Sequence, residues 1–200
     1  MKKVDDGYKR NLILYYIIKP ILLVVAKIIF NPKIIGKENI PKKEGCVIAC
    51  NHVHAFDPAI LIYSTRRIVH FIAKKELFLG KMKWFYLSFG TIPVDRDKNY
   101  PLALAVAEDF LKNDEVIGIF PEGTRNKERG TLLPFKFGAV KMAKSTNKKI
   151  VPCVITGEYK IFKSTLKVCY GDAIDISGIE LEEANNLLRE KITLLLEENK

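Results

Sequence analysis

From position 46 the chain reads Cys46-Val47-Ile48-Ala49-Cys50-Asn51-His52-Val53-His54-Ala55-Phe56-Asp57, an apolar run that leads directly into a histidine and an aspartate. A second stretch has the same design and reads Val116-Ile117-Gly118-Ile119-Phe120-Pro121-Glu122-Gly123-Thr124-Arg125. Short continuous apolar runs are consistent with fully buried strands. Because open α/β sheets bind ligands outside the ends of their strands, the two polar segments predict one site at the edge of a sheet.

The rest of the chain alternates between further strand-like and helix-like segments. Helices are predicted from Asp57-Pro58 through Tyr63 and over Pro101–Asn113, Phe137–Ser145 and Leu181–Glu198. Strands are predicted over Ile68–Ala73, Thr91–Val94, Ile150–Ile155 and Leu166–Tyr170, and Asn31–Gly45 is predicted to be a connector. This alternation predicts an α/β fold with a mixed, mostly parallel sheet that carries helices on both faces.

An almost wholly apolar segment precedes that domain and spans Leu12 to Phe30, interrupted only by Lys19, Pro20 and Lys27. A lysine and a proline at its centre disfavour a membrane span and favour two short helices, Tyr8–Ile18 and Ile21–Phe30. Such helices would lie in the headgroup region of a membrane, with the nearby basic side chains toward phosphates. Those side chains are Lys9, Arg10, Lys19 and Lys27.

Three other readings of this amino-terminal segment stay open: a helix buried against the domain, a single tilted span, and a signal peptide. The organisation that follows is an apolar helical membrane element over residues 1–32 and a second domain over residues 33–200.

Composition narrows the class of protein. The chain has 200 residues, of which 48% are hydrophobic, so it can bury a substantial core and is not disordered. Its formal net charge of +10 predicts an anionic partner, which could be nucleic acid or an acidic membrane surface. The four cysteines lack zinc-site spacing and lie in or beside apolar runs, which indicates reduced core residues in a cytosolic setting.

His52 and Asp57 form a candidate acid–base pair. Histidine titrates close enough to neutral pH to take a proton from an attacking hydroxyl. A carboxylate bonded to its other ring nitrogen fixes the tautomer and stabilises the imidazolium that forms. On spacing alone the two residues could equally cap a turn and a helix, so the pair needs support from the rest of the chain.

That support comes from four blocks that resemble, in order, the motifs of the lysophosphatidate (1-acylglycerol-3-phosphate) acyltransferase family. The first runs from Asn51 to Pro58, and Gly90–Arg96, with Ala73–Leu77 before it, resembles the second. Phe120–Arg125 resembles the third block and Val151–Ile155 the fourth. Two departures are His54 and Asn126, where the family often has serine, and we expect them to affect substrate fit rather than the proton transfer.

The resemblance implies an enzyme in which His52 and Asp57 are catalytic. His52 would act as general base on the free 2-hydroxyl of lysophosphatidate, and the product would be phosphatidate. No separate cofactor is implied, because acyl-CoA or acyl carrier protein serves as co-substrate. The implied setting is the cytoplasmic face of a cell membrane, with membrane lipids as partners of a peripheral or monotopic protein.

Substrate binding is assigned to the third block and to basic residues near the second. Arg125 offers a planar, always charged fork that matches a phosphate. Gly123 allows close approach of the backbone, and Glu122 would bond the glycerol or orient the arginine. The full set of substrate-binding candidates is Glu122, Gly123, Thr124, Arg125, Arg96, Lys74 and Lys75.

Other functions fit the sequence less well. His52-x-His54 could begin a binuclear metal site, but His70 is the only other histidine in the chain, so no metal is expected. Nucleic-acid binding is disfavoured because the basic residues are not organised around aromatic residues. Within the family, the acceptor could be another lysolipid or glycerol-3-phosphate. A non-catalytic lipid-binding protein is the alternative from another class, although such a protein needs no general base.

Overall fold

The sheet explains how the two polar segments come together. A computed structural model describes residues 12–80, 83–88, 90–94, 100–162 and 165–199. In these residues the strands are β1 (Lys33–Ile35), β2 (Cys46–Cys50), β3 (Val69–Lys74), β4 (Ile92–Val94), β5 (Val116–Ile119), β6 (Lys149–Thr156) and β7 (Lys167–Tyr170). The helices are α1 (Leu12–Ile29), α2 (Asp57–Ser64), α3 (Lys83–Ser88), α4 (Tyr100–Lys112), α5 (Gly138–Thr146) and α6 (Leu181–Glu198).

All seven of these strands form one mixed sheet in the order β1-β7-β6-β2-β5-β3-β4. The five strands from β6 to β4 are parallel, β7 is antiparallel to β6, and β1 is parallel to β7. Residues Lys33–Ile35 lie within the segment predicted to be a connector, which is a correction: a three-residue strand is too short to show a pattern of its own. The mixed, mostly parallel α/β sheet is confirmed.

Helices cover both faces of the sheet, as predicted. On one face α4, α5 and α6 pack through small and branched side chains such as Ala107, Val140 and Leu188 onto β2, β5 and β6. On the other face α1 and α2 pack through Tyr15, Ile60 and their neighbours onto the same strands. The central strands are therefore buried on both sides, which is why β2 and β5 read as continuous apolar runs.

The amino-terminal segment differs from the two helices that were predicted, because α1 is one helix that continues through Pro20. It packs against α2 and α3, and Tyr15 and Ala26 are fully or almost fully buried in the core of that face. Packing of α1 between Tyr15 and Ala26 thus outweighs the helix-breaking tendency of a single proline. The part of the prediction that falls on residues 1–11, including Lys9 and Arg10, lies outside the described residues.

Lys19 also differs from the prediction, because its ammonium group binds protein rather than facing outward. Its Nζ donates hydrogen bonds to the carbonyl oxygens of Thr65, Arg66 and Arg67, at 3.3, 3.4 and 3.2 Å. These carbonyls follow the last turn of α2, where a cation interacts favourably with the helix dipole. Burial lowers the pKa of Lys19 to about 8. Lys19 therefore connects α1 to the end of α2 by hydrogen bonds.

The other side of α1 is an exposed apolar surface. Its side chains are between 46% and 64% exposed and comprise Tyr16, Ile17, Ile21, Val24, Val25 and Ile28. We call this set the α1 outer face. No helix in the described part of the chain has the length and apolarity needed to cross a membrane.

All four cysteines are free thiols, and each is buried in the core. Cys50 and Cys153 are paired in register on the neighbouring strands β2 and β6. Burial raises the pKa of the Cys50 thiol well above its usual value. The prediction that these residues serve as core side chains is consistent with their positions.

His70 is the polar residue most deeply buried in β3, and both of its ring nitrogens are hydrogen-bonded. Nδ1 lies 3.0 Å from the carbonyl oxygen of Gly90, and Nε2 lies 2.5 Å from Oε2 of Glu115. The ring thereby connects β3 to the turn that precedes β4 and to the residue before β5. We therefore interpret His70 as a structural residue.

His70→Leu is expected to lower the free energy of unfolding by about 1–3 kcal/mol, because the Gly90 carbonyl and the Glu115 carboxylate lose their hydrogen-bond partner. Urea denaturation followed by circular dichroism measures this change. An unchanged urea midpoint would mean that the two hydrogen bonds contribute nothing to stability.

Candidate active site

The candidate site lies where five parallel strands end. His52 follows β2, Glu122 follows β5, and Tyr159 follows β6, all at the carboxyl edge of the sheet. Lys74 is the last residue of β3 at the same edge. The structure therefore brings the two quoted segments together, at the edge where open α/β sheets place their ligands.

His52 and Asp57 are in direct contact. The distance from Nδ1 of His52 to Oδ2 of Asp57 is 2.8 Å, and the imidazole side chain is 17% exposed while the carboxylate is fully buried. Asp57 is the first residue of α2, so the chain between the two residues forms the turn that joins β2 to α2. This turn brings together residues five positions apart.

Four donors surround the Asp57 carboxylate. The backbone N–H groups of Val53 and His54 donate to Oδ2, at 2.7 and 2.8 Å. The hydroxyl of Tyr159 donates to Oδ1 at 2.6 Å. The fourth donor is Nδ1 of His52. A buried carboxylate with this many donors is fully compensated and is held in one orientation.

The same contacts determine which nitrogen of His52 is free. An ionised carboxylate can only accept hydrogen bonds, so Nδ1 carries the proton. In the neutral ring, Nε2 is then unprotonated and keeps a lone pair. An Nε2 lone pair on a partly exposed ring is the form that a general base requires.

The ring plane of His52 is fixed by aromatic stacking. Phe120, directly after β5, stacks on the imidazole with ring centroids 4.1 Å apart and planes inclined by 19°. Phe71 of β3 in turn stacks on Phe120 at 5.8 Å. Together with the Asp57 hydrogen bond, this stack leaves the imidazole little freedom to rotate.

Glu122 holds the backbone around the site. Its Oε1 accepts the N–H of His52 and its Oε2 accepts the N–H of Leu133, both at 2.9 Å, and the residue is 3% exposed. Asn126 adds a second hydrogen bond to this turn, because its backbone N–H donates to the carbonyl oxygen of His52 at 2.6 Å. Glu122 therefore anchors the turn that carries His52, and its predicted role, to bond the glycerol or to orient Arg125, stays a prediction.

Gly123 has a positive φ of 69° and sits beneath the side chain of Lys136. A Cβ added at Gly123 would lie 2.9 Å from Cε and 3.2 Å from Nζ of Lys136. The backbone N–H of Lys136 donates to the carbonyl oxygen of Pro121 at 2.8 Å, which fixes this approach. The positive φ favours glycine here, and the missing Cβ leaves room for the flexible end of the Lys136 side chain.

The remaining predicted binding residues line the rim. Thr124 and Arg125 are exposed, and in the described part of the chain no group forms a hydrogen bond or ion pair with the Arg125 guanidinium. Lys74 and Lys75 are exposed at the end of β3. Arg96 lies outside the described residues. The substrate roles of all these residues stay predictions.

Two residues of the site were missed by the sequence analysis. Tyr159 follows the end of β6 by three positions, so the same edge argument that selected His52 and Glu122 could have selected it. Lys136 lies next to Gly123 only because the chain from 126 to 136 folds back onto the edge. No local signal predicts that return.

A metal-binding arrangement is not seen around His52 and His54. Across the described ranges no three histidine, cysteine, aspartate or glutamate side chains converge in a way that could hold a metal ion. His54 instead stacks on Tyr159 with ring centroids 4.2 Å apart.

The fold and the site can now be compared with known proteins. The chain is 36% identical over 142 residues to a 1-acyl-sn-glycerol-3-phosphate acyltransferase of Bacillus subtilis, which covers 68% of each chain. It is 33% identical over 176 residues to a protein of the same name from Borreliella burgdorferi, covering 81% of this chain and 70% of that one.

A solved structure has the same fold. The crystal structure of the 1-acyl-sn-glycerophosphate acyltransferase PlsC from Thermotoga maritima matches with a TM-score of 0.73 and 23% identity, over 92% of this chain and 80% of that one. A family model described as Acyltransferase matches residues 31–156, which include the His52–Asp57 turn, the Glu122–Arg125 segment and β6. The chain therefore belongs to the acyltransferase family.

Proposed function

We propose that this chain is a 1-acylglycerol-3-phosphate O-acyltransferase. It transfers a fatty acyl group from a thioester to the 2-hydroxyl of lysophosphatidate and forms phosphatidate, a step of phospholipid biosynthesis. The observation that carries the proposal is the 2.8 Å contact between His52 Nδ1 and Asp57 Oδ2, which leaves Nε2 free as a base. The names of its curated relatives support the choice of acceptor.

The geometry supports direct transfer in a ternary complex. Nε2 of His52 takes the proton of the 2-hydroxyl while that oxygen attacks the carbonyl carbon of the thioester. The tetrahedral intermediate collapses, the carbon–sulfur bond breaks, and the imidazolium returns its proton to the departing thiolate. Asp57 stabilises the imidazolium between these two proton transfers.

A covalent acyl-enzyme is not needed, and in the described ranges no suitable nucleophile lies beside the base. Cys50 is two residues from His52, but it is fully buried in β2. Burial raises the pKa of its thiol, which keeps it protonated and unreactive. Acyl-CoA or acyl carrier protein is thus a co-substrate that meets the acceptor in the same site.

The phosphate of the acceptor binds on the rim formed by Gly123, Arg125 and Lys136. Arg125 supplies a bidentate fork for which no group in the described residues competes, and Lys136 adds a second positive charge where the Gly123 backbone comes close. Lys74 and Lys75 add positive charge at the end of β3, which also suits the phosphates of the acyl donor, and the substrate role of Arg96 stays a prediction.

Arg125→Ala is expected to raise the KM for lysophosphatidate by at least about ten-fold, with a much smaller effect on kcat, because a charge-assisted contact to the phosphate is lost. Arg125→Lys should recover only part of the loss, since a point charge does not reproduce the fork. Steady-state kinetics with each substrate varied in turn give the two KM values.

Arg189→Ala is the matched control, because Arg189 is an exposed arginine of α6, on the helix layer rather than at the sheet edge. It should leave both KM values unchanged. A raised donor KM with an unchanged acceptor KM in Arg125→Ala would move Arg125 to the phosphates of the acyl carrier.

The protein is proposed to act on the cytoplasmic face of a cell membrane, held there as a peripheral or monotopic protein by the α1 outer face. This face is apolar, exposed and long enough to dip into the headgroup region. Phe162 is 73% exposed, and its N–H donates to the carbonyl oxygen of Ile29 at 2.9 Å, so it extends the apolar surface beyond the end of α1. The net charge of +10 favours anionic lipids.

Ile21→Glu combined with Ile28→Glu is expected to lower the partition coefficient on anionic vesicles by at least about ten-fold, because each exposed isoleucine contributes roughly 1.5–3 kcal/mol on burial. Co-sedimentation with phosphatidylglycerol vesicles measures it. Leu194→Glu, at an exposed apolar position of α6, is the control and should bind as the parent chain does. Equal loss in both variants would contradict docking through α1.

A panel of acceptors tests the proposed function. Thioester consumption is followed with lysophosphatidate, lysophosphatidylcholine, lysophosphatidylglycerol and glycerol-3-phosphate, each with acyl-CoA and with acyl carrier protein. Lysophosphatidate should give the highest kcat/KM. A higher value for another acceptor would reassign the substrate, and no transfer to any of them, together with tight binding of lysophosphatidate, would favour a non-catalytic lipid-binding protein.

A further inference from the structure

Tyr159 contacts the catalytic pair from the side opposite to the backbone of the turn, through Oδ1 of Asp57. It follows β6 and reaches the site through its hydroxyl group, which donates to Oδ1 of Asp57 at 2.6 Å. Oδ2 of the same carboxylate takes the other three hydrogen bonds, from His52, Val53 and His54. Among the described residues, Tyr159 is thus the hydrogen-bond donor to Oδ1 of Asp57.

The ring of Tyr159 is held on two sides. His54 stacks on it with centroids 4.2 Å apart and planes inclined by 21°, and Phe30 meets it edge-on at 5.4 Å. The residue before the tyrosine is tied as well, because the N–H of Glu158 donates to Oγ1 of Thr165 at 3.1 Å. Packing of the ring and the hydrogen bond of Glu158 therefore fix the direction of the Tyr159 hydroxyl toward Asp57.

We propose that Tyr159 is a positioning residue for the acyl transfer: its hydroxyl holds the Asp57 carboxylate so that Oδ2 faces His52. The proposal rests on His52 acting as the general base. Tyr159 acts through Asp57 and touches neither substrate. Its ring also links the end of α1, through Phe30, to the catalytic pair.

The charged and titratable groups around this contact are consistent with a permanent donor. Burial, and then the nearby Asp57 carboxylate, raise the pKa of Tyr159 far above its usual value, so its hydroxyl stays protonated at every working pH. Cys50 raises it slightly further and Arg129 opposes the shift. On the other side of the pair, Glu122 accepts the backbone N–H of His52 and does not contact the ring.

Removing the hydroxyl has a defined consequence for His52. The Tyr159 hydrogen bond withdraws negative charge from the carboxylate, so its loss strengthens the attraction of Asp57 for the imidazolium. His52 then holds its proton to a higher pH, and the acid limb of the kcat/KM profile moves upward. Without a donor at Oδ1, Asp57 would also take up a proton more readily. That change would likewise move the acid limb to higher pH, because the active form of the pair needs an ionised Asp57 and a neutral His52.

The test compares Tyr159→Phe with Tyr170→Phe in the chain of 200 residues. Tyr170 is the control, because its hydroxyl also bonds a side chain, that of Ser64, away from the catalytic pair, although Tyr170 is buried and Tyr159 only half-buried. Both variants remove one hydrogen-bonded hydroxyl, so a purely structural effect should be at least as large in Tyr170→Phe, where the lost bond is the more deeply buried. The two variants differ in whether the lost hydroxyl touches Asp57.

Tyr159→Phe is expected to lower kcat about ten-fold, to leave both KM values within about two-fold, and to move the acid limb up by about half a pH unit or more. Tyr170→Phe should keep the parental profile. In the Asp57→Asn background the Tyr159→Phe change should have almost no further effect on kcat, because the group through which it acts is already altered. Additive losses in the double variant would overturn the proposal.

A measurement that needs no substrate tests the positioning role independently of the acceptor assignment. The chain has three histidines, so proton NMR can follow the His52 imidazole after assignment with His52→Ala. Its titration midpoint should rise in Tyr159→Phe and stay in place in Tyr170→Phe. An unchanged midpoint, or a raised substrate KM with unchanged kcat, would overturn the positioning role even if the acceptor assignment holds, and a shifted midpoint supports it even if the acceptor differs.

Discussion

His52→Ala is expected to abolish nearly all acyl transfer, with a fall in kcat on the order of 10²–10⁴-fold. The variant removes the nitrogen that takes the proton of the attacking hydroxyl. Asp57 and its other three hydrogen-bond donors remain in place. Thioester consumption with lysophosphatidate, measured at saturating concentrations of both substrates, gives the change in kcat.

The fold of the variant is checked by circular dichroism and by its urea midpoint. His52→Gln is a second variant, because it retains a polar side chain of similar length beside Phe120 but has no basic nitrogen. It should be as inactive as His52→Ala. A folded variant of either kind with turnover within ten-fold of the parent chain would contradict the role of His52.

Asp57→Asn is expected to lower kcat on the order of 10²-fold, mainly because the charge that stabilises the imidazolium is lost. The N–H groups of Val53 and His54 require an acceptor at the Oδ2 position. They therefore turn the amide oxygen toward Nδ1 of His52, and the tautomer is kept. In Asp57→Asn the acid limb of the kcat/KM profile should move to lower pH, because the imidazolium loses its stabilising charge. This shift is opposite to the one expected for Tyr159→Phe.

Asp57→Ala removes the acceptor as well as the charge, so it should lose activity to about the extent of His52→Ala. The difference between the two Asp57 variants measures how much of the effect is orientation. If Asp57→Asn were as inactive as Asp57→Ala and its acid limb were unshifted, tautomer control and not charge would be the main role of Asp57.

Local sequence patterns were sufficient to predict the strands and helices that position the site. Continuous apolar runs predicted β2 and β5, because both are buried under helices on the two faces of the sheet. Pro101–Asn113 and Leu181–Glu198 showed the helical period of α4 and α6. The edge argument then placed the His52 turn beside the Glu122 segment, and the parallel pairing of β2 with β5 agrees with it.

Long-range contacts explain what could not be predicted. Lys19 and Pro20 read as an interruption of α1, but the carbonyl groups that Lys19 binds are more than forty residues away and are not visible in the local pattern. Glu122 was predicted to bond the glycerol or to orient Arg125, and the local pattern did not show that its two oxygens accept the backbone N–H groups of His52 and Leu133. Tyr159 contributes to the pair only because β6 lies next to β2 in the sheet.

The central claim is that the His52–Asp57 pair drives transfer of an acyl group to the 2-hydroxyl of lysophosphatidate. The most direct measurement is mass-spectrometric analysis of the lipid product, with positional assignment, from purified parent chain and His52→Ala given acyl-CoA or acyl carrier protein and lysophosphatidate. The parent chain should form one phosphatidate for each thioester consumed, with the new chain at the 2-position, and His52→Ala should form almost none. Equal phosphatidate from both proteins, or free thiol released by the parent chain without phosphatidate, would contradict the account.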